Sequence, residues 1–343
     1  MTTGFLRCWR FLNFRCASCI AVLVAAFAFA VPVQAQKDKV HRVAYIVGAS
    51  PLSDLKGPGR IPVTRAFVNR LGELGYVEGR NLLLDFYTLE GHYERIPEVL
   101  ADIVRSKADV IFTAIQVVVE KHLQATAGIP VVTLATWSFV GTGAAQSLAR
   151  PGGSVTGFIM DVDVGVEAKR LELLREAFPR VKRVAYLGVP LYWESPAGKN
   201  VRDAAQRLGL SLFHAGYTGA DVLAASAIIE REAPDAVIVP AGTISFGNRQ
   251  RIGEFVSALR LPCIAGFKEI VELGCLMSYG VDVNEILRGA AGYVAKILEG
   301  VKPGDLPIQQ PSKFELVINM KTAKALGIKI PHSILLRADR AIE

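Results

Sequence analysis

Short β-branched runs alternate with amphipathic stretches along almost the whole chain, and the segment Leu148-Ala149-Arg150-Pro151-Gly152-Gly153-Ser154-Val155-Thr156-Gly157 divides them into two series. Strand-then-helix repetition favours parallel sheets flanked by helices, because a parallel neighbour can be reached only by a crossover connection. In the first series the predicted strands are Val43 to Val47, Leu82 to Tyr87, Val110 to Ala114 and Val131 to Ala135. In the second they are Val155 to Met160, Val184 to Val189, Leu210 to Ala215, Ala236 to Pro240 and Cys263 to Phe267. Their nearly continuous apolar character means burial on both faces. Further on, Leu276 to Val281 and Phe314 to Ile318 read as strands, with helices over Glu285 to Leu298 and Lys321 to Leu326 stopped by Gly300 and Gly327. The expected architecture is α/β with two lobes, residues 40–150 plus about 276–310 in lobe one and 154–275 plus about 311–343 in lobe two. Several crossings between lobes would make a hinge able to close without unfolding.

The clearest helix runs from Val166 to Phe178, where Leu171, Leu174 and Phe178 share a face and Pro179 follows. Its charges Glu167, Lys169, Arg170, Glu172 and Arg175 are expected mostly on the opposite, solvated face.

Residues 1–35 read as a signal peptide: Arg7, Arg10 and Arg15 charge its start, Cys16 to Val33 is apolar apart from Ser18, and Val33-Gln34-Ala35 offers a small-residue cleavage site. The alternative is an uncleaved anchor, since the stretch approaches the roughly 20 residues that span a bilayer. Pro32 and the small residues after it favour cleavage near Gln36, and hence a periplasmic protein. Losing three arginines and no acids lowers the formal charge from +7 to +4, a mild basicity that does not describe a nucleic-acid-binding surface. Cys8, Cys16 and Cys19 depart with the leader; Cys263 and Cys275 remain, and their apolar surroundings favour two buried free thiols over the disulfide that an oxidising compartment permits.

Enzymatic constellations are sparse. There is no Gly-x-Ser-x-Gly elbow; Gly198-Lys199 lacks the rest of a phosphate loop, and Gly141-Thr142-Gly143 stops short of a dinucleotide fingerprint because Gln146 stands where the third glycine belongs. The five histidines, at 41, 92, 122, 214 and 332, never fall at metal-ligand spacing. Asp161 and Asp163 follow a strand and could be an acid/base pair, or hinge and capping residues; Glu90 and Glu94 flank His92 in a polar turn. No cofactor or metal is expected, and binding without chemistry fits best.

Ligands of open α/β sheets bind beyond the carboxyl ends of the strands. Trp137, Tyr192 and Trp193 fall there on opposite lobes, and aromatic faces closing from both sides could sandwich a planar or apolar solute. Either tryptophan could instead pack beneath its own loop. Glu194 could meet an ammonium group or cap the helix starting near Ser195. Ser50, Gln116, Ser138, Thr243 and Ser245 offer neutral hydrogen-bonding groups, Phe267 ends a strand, and Lys268 could attract a carboxylate or lie on the surface.

Several segments resemble a known family. Leu71-Gly72-Glu73-Leu74-Gly75-Tyr76-Val77-Glu78-Gly79-Arg80-Asn81, the 148–157 segment, Glu167-Ala168-Lys169-Arg170-Leu171-Glu172-Leu173-Leu174, Leu276-Met277-Ser278-Tyr279-Gly280 and Gln309-Gln310-Pro311-Ser312-Lys313-Phe314-Glu315-Leu316-Val317-Ile318-Asn319 are similar, in order, to ABC-transporter substrate-binding proteins of the tryptophan/tyrosine-binding type. The resemblance implies a type I periplasmic-binding-protein fold of two Rossmann-like lobes that close on a small solute, an amino acid or related organic acid, for delivery to a membrane permease. The mature chain is then expected to be a soluble monomer that is not an enzyme and has no nucleic-acid partner. The loops depart from the family pattern at Gly188-Val189-Pro190-Leu191-Tyr192-Trp193-Glu194-Ser195, at Ala135-Thr136-Trp137-Ser138-Phe139, where the usual Asp is missing, and at Ala114-Ile115-Gln116. A sensor subunit presenting its closed form to a receptor kinase is the alternative, and an enzyme on the same fold a more distant one. Amino-terminal sequencing of the exported chain should begin near Gln36; a chain still carrying Met1 would establish the anchor instead.

Overall fold

The computed structural model describes residues 39–343 except 58, 59, 137, 141 and 161–164. The leader, Trp137, Gly141, Asp161 and Asp163 therefore lie outside the described residues. Residues Val40–Glu343 form one compact unit containing two sheets.

The first sheet is wholly parallel, in the order β2-β1-β3-β4-β5, from β1 (His41–Val47), β2 (Leu82–Thr88), β3 (Val110–Thr113), β4 (Val131–Ala135) and β5 (Val155–Ile159). The last three are buried at every position, as strands sandwiched between helices must be. Strand β5 was expected to open the second lobe. It pairs instead with β4 over Val131–Ala135 and so closes the first sheet. Gly157, opposite Thr133, makes this approach possible: its φ of +150° and a Cβ that would collide with the Thr133 carbonyl both require glycine.

The second sheet has seven strands, in the order β12-β11-β10-β9-β8-β6-β7. These are β6 (Arg183–Gly188), β7 (Ser211–Gly216), β8 (Ala236–Val239), β9 (Cys263–Ala265), β10 (Met277–Gly280), β11 (Glu315–Asn319) and β12 (Arg340–Ile342). Only β11 runs antiparallel to a neighbour, β10; the other pairings are parallel. The sequence reading placed the segment from 276 with lobe one, but β10 sits in the second sheet beside β9, and the change of lobe comes after it.

The chain crosses between lobes three times. It passes from β5 to the helix Gly165–Ala177, which packs on β9 and β10. It returns from β10 to the helix Val283–Leu298, which packs on the helix Pro62–Glu73 and on β3, β4 and β5. Arg288 on this returning helix grips Glu73 with two hydrogen bonds of 3.0 and 2.9 Å, and the hydrogen bonds from Arg288 and Arg70 hold the Glu73 carboxyl down at about 2. Residues 306–309 then run alongside β5, with Gln309 N–H donating to the Gly157 carbonyl at 2.9 Å, before the chain crosses again to β11.

Two expectations fail for packing reasons. Glu172 and Arg175 face solvent, but Glu167 and Arg170 are buried, because the helix carrying them is covered on a second side by the helices Pro196–Arg207 and His332–Leu335. Arg170 Nη1 lies 2.6 Å from Glu167 Oε1, and its Nε donates to the Tyr279 carbonyl at 2.7 Å. Burying one of these charges without the other would be strongly unfavourable, so they enter together. The second concerns Cys263 and Cys275, which form a disulfide and are not free thiols. The short helix Lys268–Glu272 turns the chain back so that β9 and β10 lie side by side, bringing the two Cα atoms to 5.0 Å. Closing a loop of this length contributes about 3 kcal/mol. The double variant Cys263→Ser/Cys275→Ser should lose about that much in urea unfolding; an unchanged midpoint would remove the bond from the stability account.

Candidate functional site

The carboxyl ends of both parallel sheets meet at one cleft. A chamber there has a volume of about 60 Å³. Lobe one lines it with Tyr45, Ser50 and Leu134, lobe two with Thr243, Phe246 and Phe267, and the hinge with Met160, Val283 and Leu287. A smaller space of about 20 Å³, lined by Gln116, Thr136, Leu191 and Tyr192, shares Ala114, Leu134 and Thr243 with it. The lobes approach closely above the chamber, where a Cβ on Gly247 would lie 2.8 Å from Ala49 Cβ. A larger recess, about 330 Å³, lies instead at the hinge among Asp282, Glu285, Gln309, Lys313 and Glu315. Its walls come from the crossing segments at the ends of β5 and β10 and not from the loops of both cleft faces, and the smaller cleft chamber is the candidate site on physical grounds.

The structure brings five of the sequence candidates to this cleft. Ser50 and Phe267 line the chamber, Gln116 and Tyr192 line the smaller space, and Thr243 borders both. Gln116 is held by its own lobe: Nε2 donates to Glu120 at 2.7 Å and Oε1 accepts from Thr136 N–H at 3.0 Å. Phe267 is fixed edge-on against Phe246, with ring centroids 5.2 Å apart.

Tyr192 joins the lobes. It starts in the helix Pro190–Trp193, and its hydroxyl accepts from Ile244 N–H at 3.0 Å while hydrogen-bonding with Thr243 and with Thr136 of lobe one. Burial raises its pKa above the ordinary tyrosine value. It therefore acts through its hydroxyl at the lobe contact, a different role from the stacking wall expected of it.

Other candidates lie elsewhere. Trp193 stacks face to face on His214 with centroids 5.1 Å apart and carries the Arg202 guanidinium 4.6 Å from its own centroid, so it packs beneath its loop and lines neither cavity. The helix at 190–193 turns successive side chains by about 100°, which sends Tyr192 and Trp193 to different faces. Glu194 is exposed, and the following helix is capped by Ser195 Oγ, which accepts from Gly198 N–H at 3.1 Å. Ser138 is exposed, with its hydroxyl accepting from Val140 N–H at 3.2 Å. Ser245 is buried and lines neither cavity. Lys268 binds Asp282 at 2.7 Å and Glu315 at 3.1 Å, which commits it to the hinge. Burial opposes its charge, but these two carboxylates hold its pKa above the usual lysine value.

Sequence reasoning missed Tyr45, Leu134, Phe246, Val283 and Leu287, all apolar and all resembling ordinary core residues. Phe246 alone carried a signal, because it stands within one helical turn of Thr243 after a strand end. Among the described residues no group of three or more potential metal ligands occurs, and no helix is long and apolar enough to cross a membrane. Tyr192→Phe strips an acceptor from the Ile244 N–H and should cost about 1–3 kcal/mol in chemical unfolding. A change below about 0.3 kcal/mol would show that the hydroxyl contributes nothing at the lobe contact.

Comparison with known proteins agrees with this architecture. The family model described as ABC transporter substrate binding protein matches residues 52–342. A tyrosine-binding protein of Clostridioides difficile is 24% identical over 290 residues, 82% of this chain and 81% of that protein. A conserved domain protein of Vibrio cholerae superposes with a TM-score of 0.76 at 26% identity, covering 88% of this chain and all of that one (100%). A Streptococcus pneumonia ABC domain in complex with L-Trp gives 0.74 at 22% identity, covering 89% and 100%. The two lobes form a type I periplasmic-binding-protein fold, and the chain belongs to the family of ABC-transporter substrate-binding proteins.

Proposed function

We propose that this chain captures an amino acid or related small organic acid in the periplasm, after removal of its leader, for the permease of an ABC importer. The observation that carries the reading is the chamber at the strand ends, whose walls come from both lobes and from the hinge and are mostly apolar, with Ser50 and Thr243 among the few polar groups. Such a lining suits a solute with an apolar or aromatic side chain. The relatives described as tyrosine-binding and as complexed with L-Trp support the same class.

The area of such a side chain sets how much of the affinity burial can supply. An aromatic side chain removes roughly 150–250 Å² from water, about 4–6 kcal/mol at 25 cal/mol per Å². Micromolar affinity needs about 8 kcal/mol, so hydrogen bonds and charges at the polar end must supply the remainder. Walls shared between lobes convert that binding into closure, since a ligand shifts a conformational equilibrium only through its differential affinity for the two states. The closed form is then what a permease would recognise.

Thermal unfolding of the purified chain against a panel of L-amino acids and small organic acids tests this. An aromatic or large aliphatic L-amino acid at ~100 times its dissociation constant should add ~2.7 kcal/mol. A panel in which sugars or polyamines shift unfolding and no amino acid or organic acid does would reject the solute class.

A further inference from the structure

Beside the chamber, a recess of about 190 Å³ opens between Ile61 and Val63 of lobe one and Phe246, Arg249 and Glu269 of lobe two. It shares Ile61, Val63 and Phe246 with the chamber, so the two lie side by side against these three side chains. Two side chains of opposite charge stand in it. Arg249 is half-buried; its Nη1 donates to the Phe246 carbonyl at 3.2 Å, and its guanidinium lies 5.0 Å from the Phe246 ring centroid. Among the described residues no carboxylate pairs with it: Asp54, across the cleft, and Glu269 act on it only through space. Glu269 Oε2 is shut off from solvent and accepts no hydrogen bond among the described residues. Burial works against both charges, lowering the Arg249 pKa and raising that of Glu269.

The neighbouring polar side chains Glu272 and Gln250 are already committed. Glu272 binds Arg340 at 2.9 Å, and Gln250 donates to Glu254 at 2.7 Å. What lines the recess is therefore, among the described residues, one guanidinium with no carboxylate partner and one carboxylate whose Oε2 is buried without a hydrogen bond, both partly desolvated, beside an apolar chamber. Its complement is a small zwitterion with an apolar tail.

We infer that Arg249 and Glu269 are the specificity-determining pair for the solute's head group: Arg249 receives the α-carboxylate, Glu269 receives the α-ammonium, and the side chain passes Phe246 into the chamber. This rests on the amino-acid reading above and adds the residues that enforce it. A guanidinium presents parallel donors that match a carboxylate in two hydrogen bonds. A solute lacking either charge leaves one of the two groups buried and uncompensated, and sites built for polar partners reject such analogues strongly. Neither residue was singled out from the sequence, although each lies within a few positions of a loop that was.

The test is titration calorimetry on the purified chain with three matched compounds: L-tyrosine, tyramine, which lacks the carboxylate, and 3-(4-hydroxyphenyl)propionate, which lacks the ammonium. L-tryptophan, tryptamine and indole-3-propionate form a second set. The wild-type chain should prefer the amino acid over each analogue by about 100-fold or more. Arg249→Met should lose about 100-fold for the amino acid while binding the amine as the wild type does, and Glu269→Gln should do the same with the propionate retained. Arg249→Gln replaces the methionine variant if that chain fails to fold, judged by circular dichroism and unliganded melting. Wild-type discrimination persisting in both variants overturns the pair, as does an equal loss for all three compounds, which would mark a structural role. A wild-type chain that binds no amino acid overturns the solute reading itself, and the pair with it.

Discussion

The hinge is the constraint on which the rest depends. Three separate segments cross between the lobes, so neither lobe can swing or twist freely, and the remaining motion is opening and closing of the face where both sets of strands end. Lys268 ties two of the crossings, binding Asp282 at the start of the helix 283–298 and Glu315 at the start of β11. Asp282 also caps that helix, its Oδ1 accepting from Asn284 N–H at 2.8 Å. Because Lys268 directly follows Phe267, a wall of the chamber, the same short stretch holds the hinge and shapes the cleft. The chamber wall and the two crossings are thereby contiguous through packed residues.

The disulfide strengthens this arrangement. It closes the loop that contains Phe267, Lys268 and Glu269, and so limits how far the chamber wall, the hinge lysine and the charged recess can move relative to one another. On the opposite side, Tyr192 supplies a hydrogen-bonded contact between lobes that does not need a solute. The two devices differ in kind: one covalent and within a lobe, the other reversible and between lobes. Only the second can be lost when the cleft opens.

Much of the fold was legible because parallel strands buried on both faces leave an unmistakable apolar pattern. Nearly every strand was found within a residue or two, and so was the long returning helix. Pairing partners were less legible. Nothing local to Val155–Ile159 says that it joins β4; the glycine at 157 permits the approach, but the partner carbonyl belongs to a residue far away in sequence. Burial of charge was also hidden, since the Glu167–Arg170 pair has the spacing of an ordinary solvated pair and differs only in what packs over it. At the site, residue type was a good guide to the loop and a poor guide to direction. Tyr192 and Trp193 are adjacent, yet one spans the lobes and the other lies on His214. Arg249 and Glu269 left no motif at all, because their meaning comes from partners they lack.

The central claim is that the lobes close about this hinge on a small solute. Fluorophores placed at Glu98 in lobe one and Glu230 in lobe two, both exposed, would report the distance between lobes on single molecules. A bound amino acid should collapse the distance distribution to one short population, and removal of the solute should restore the longer one. An amino acid that binds while the distribution stays unchanged would contradict the account, because binding would then leave the two lobes where they were.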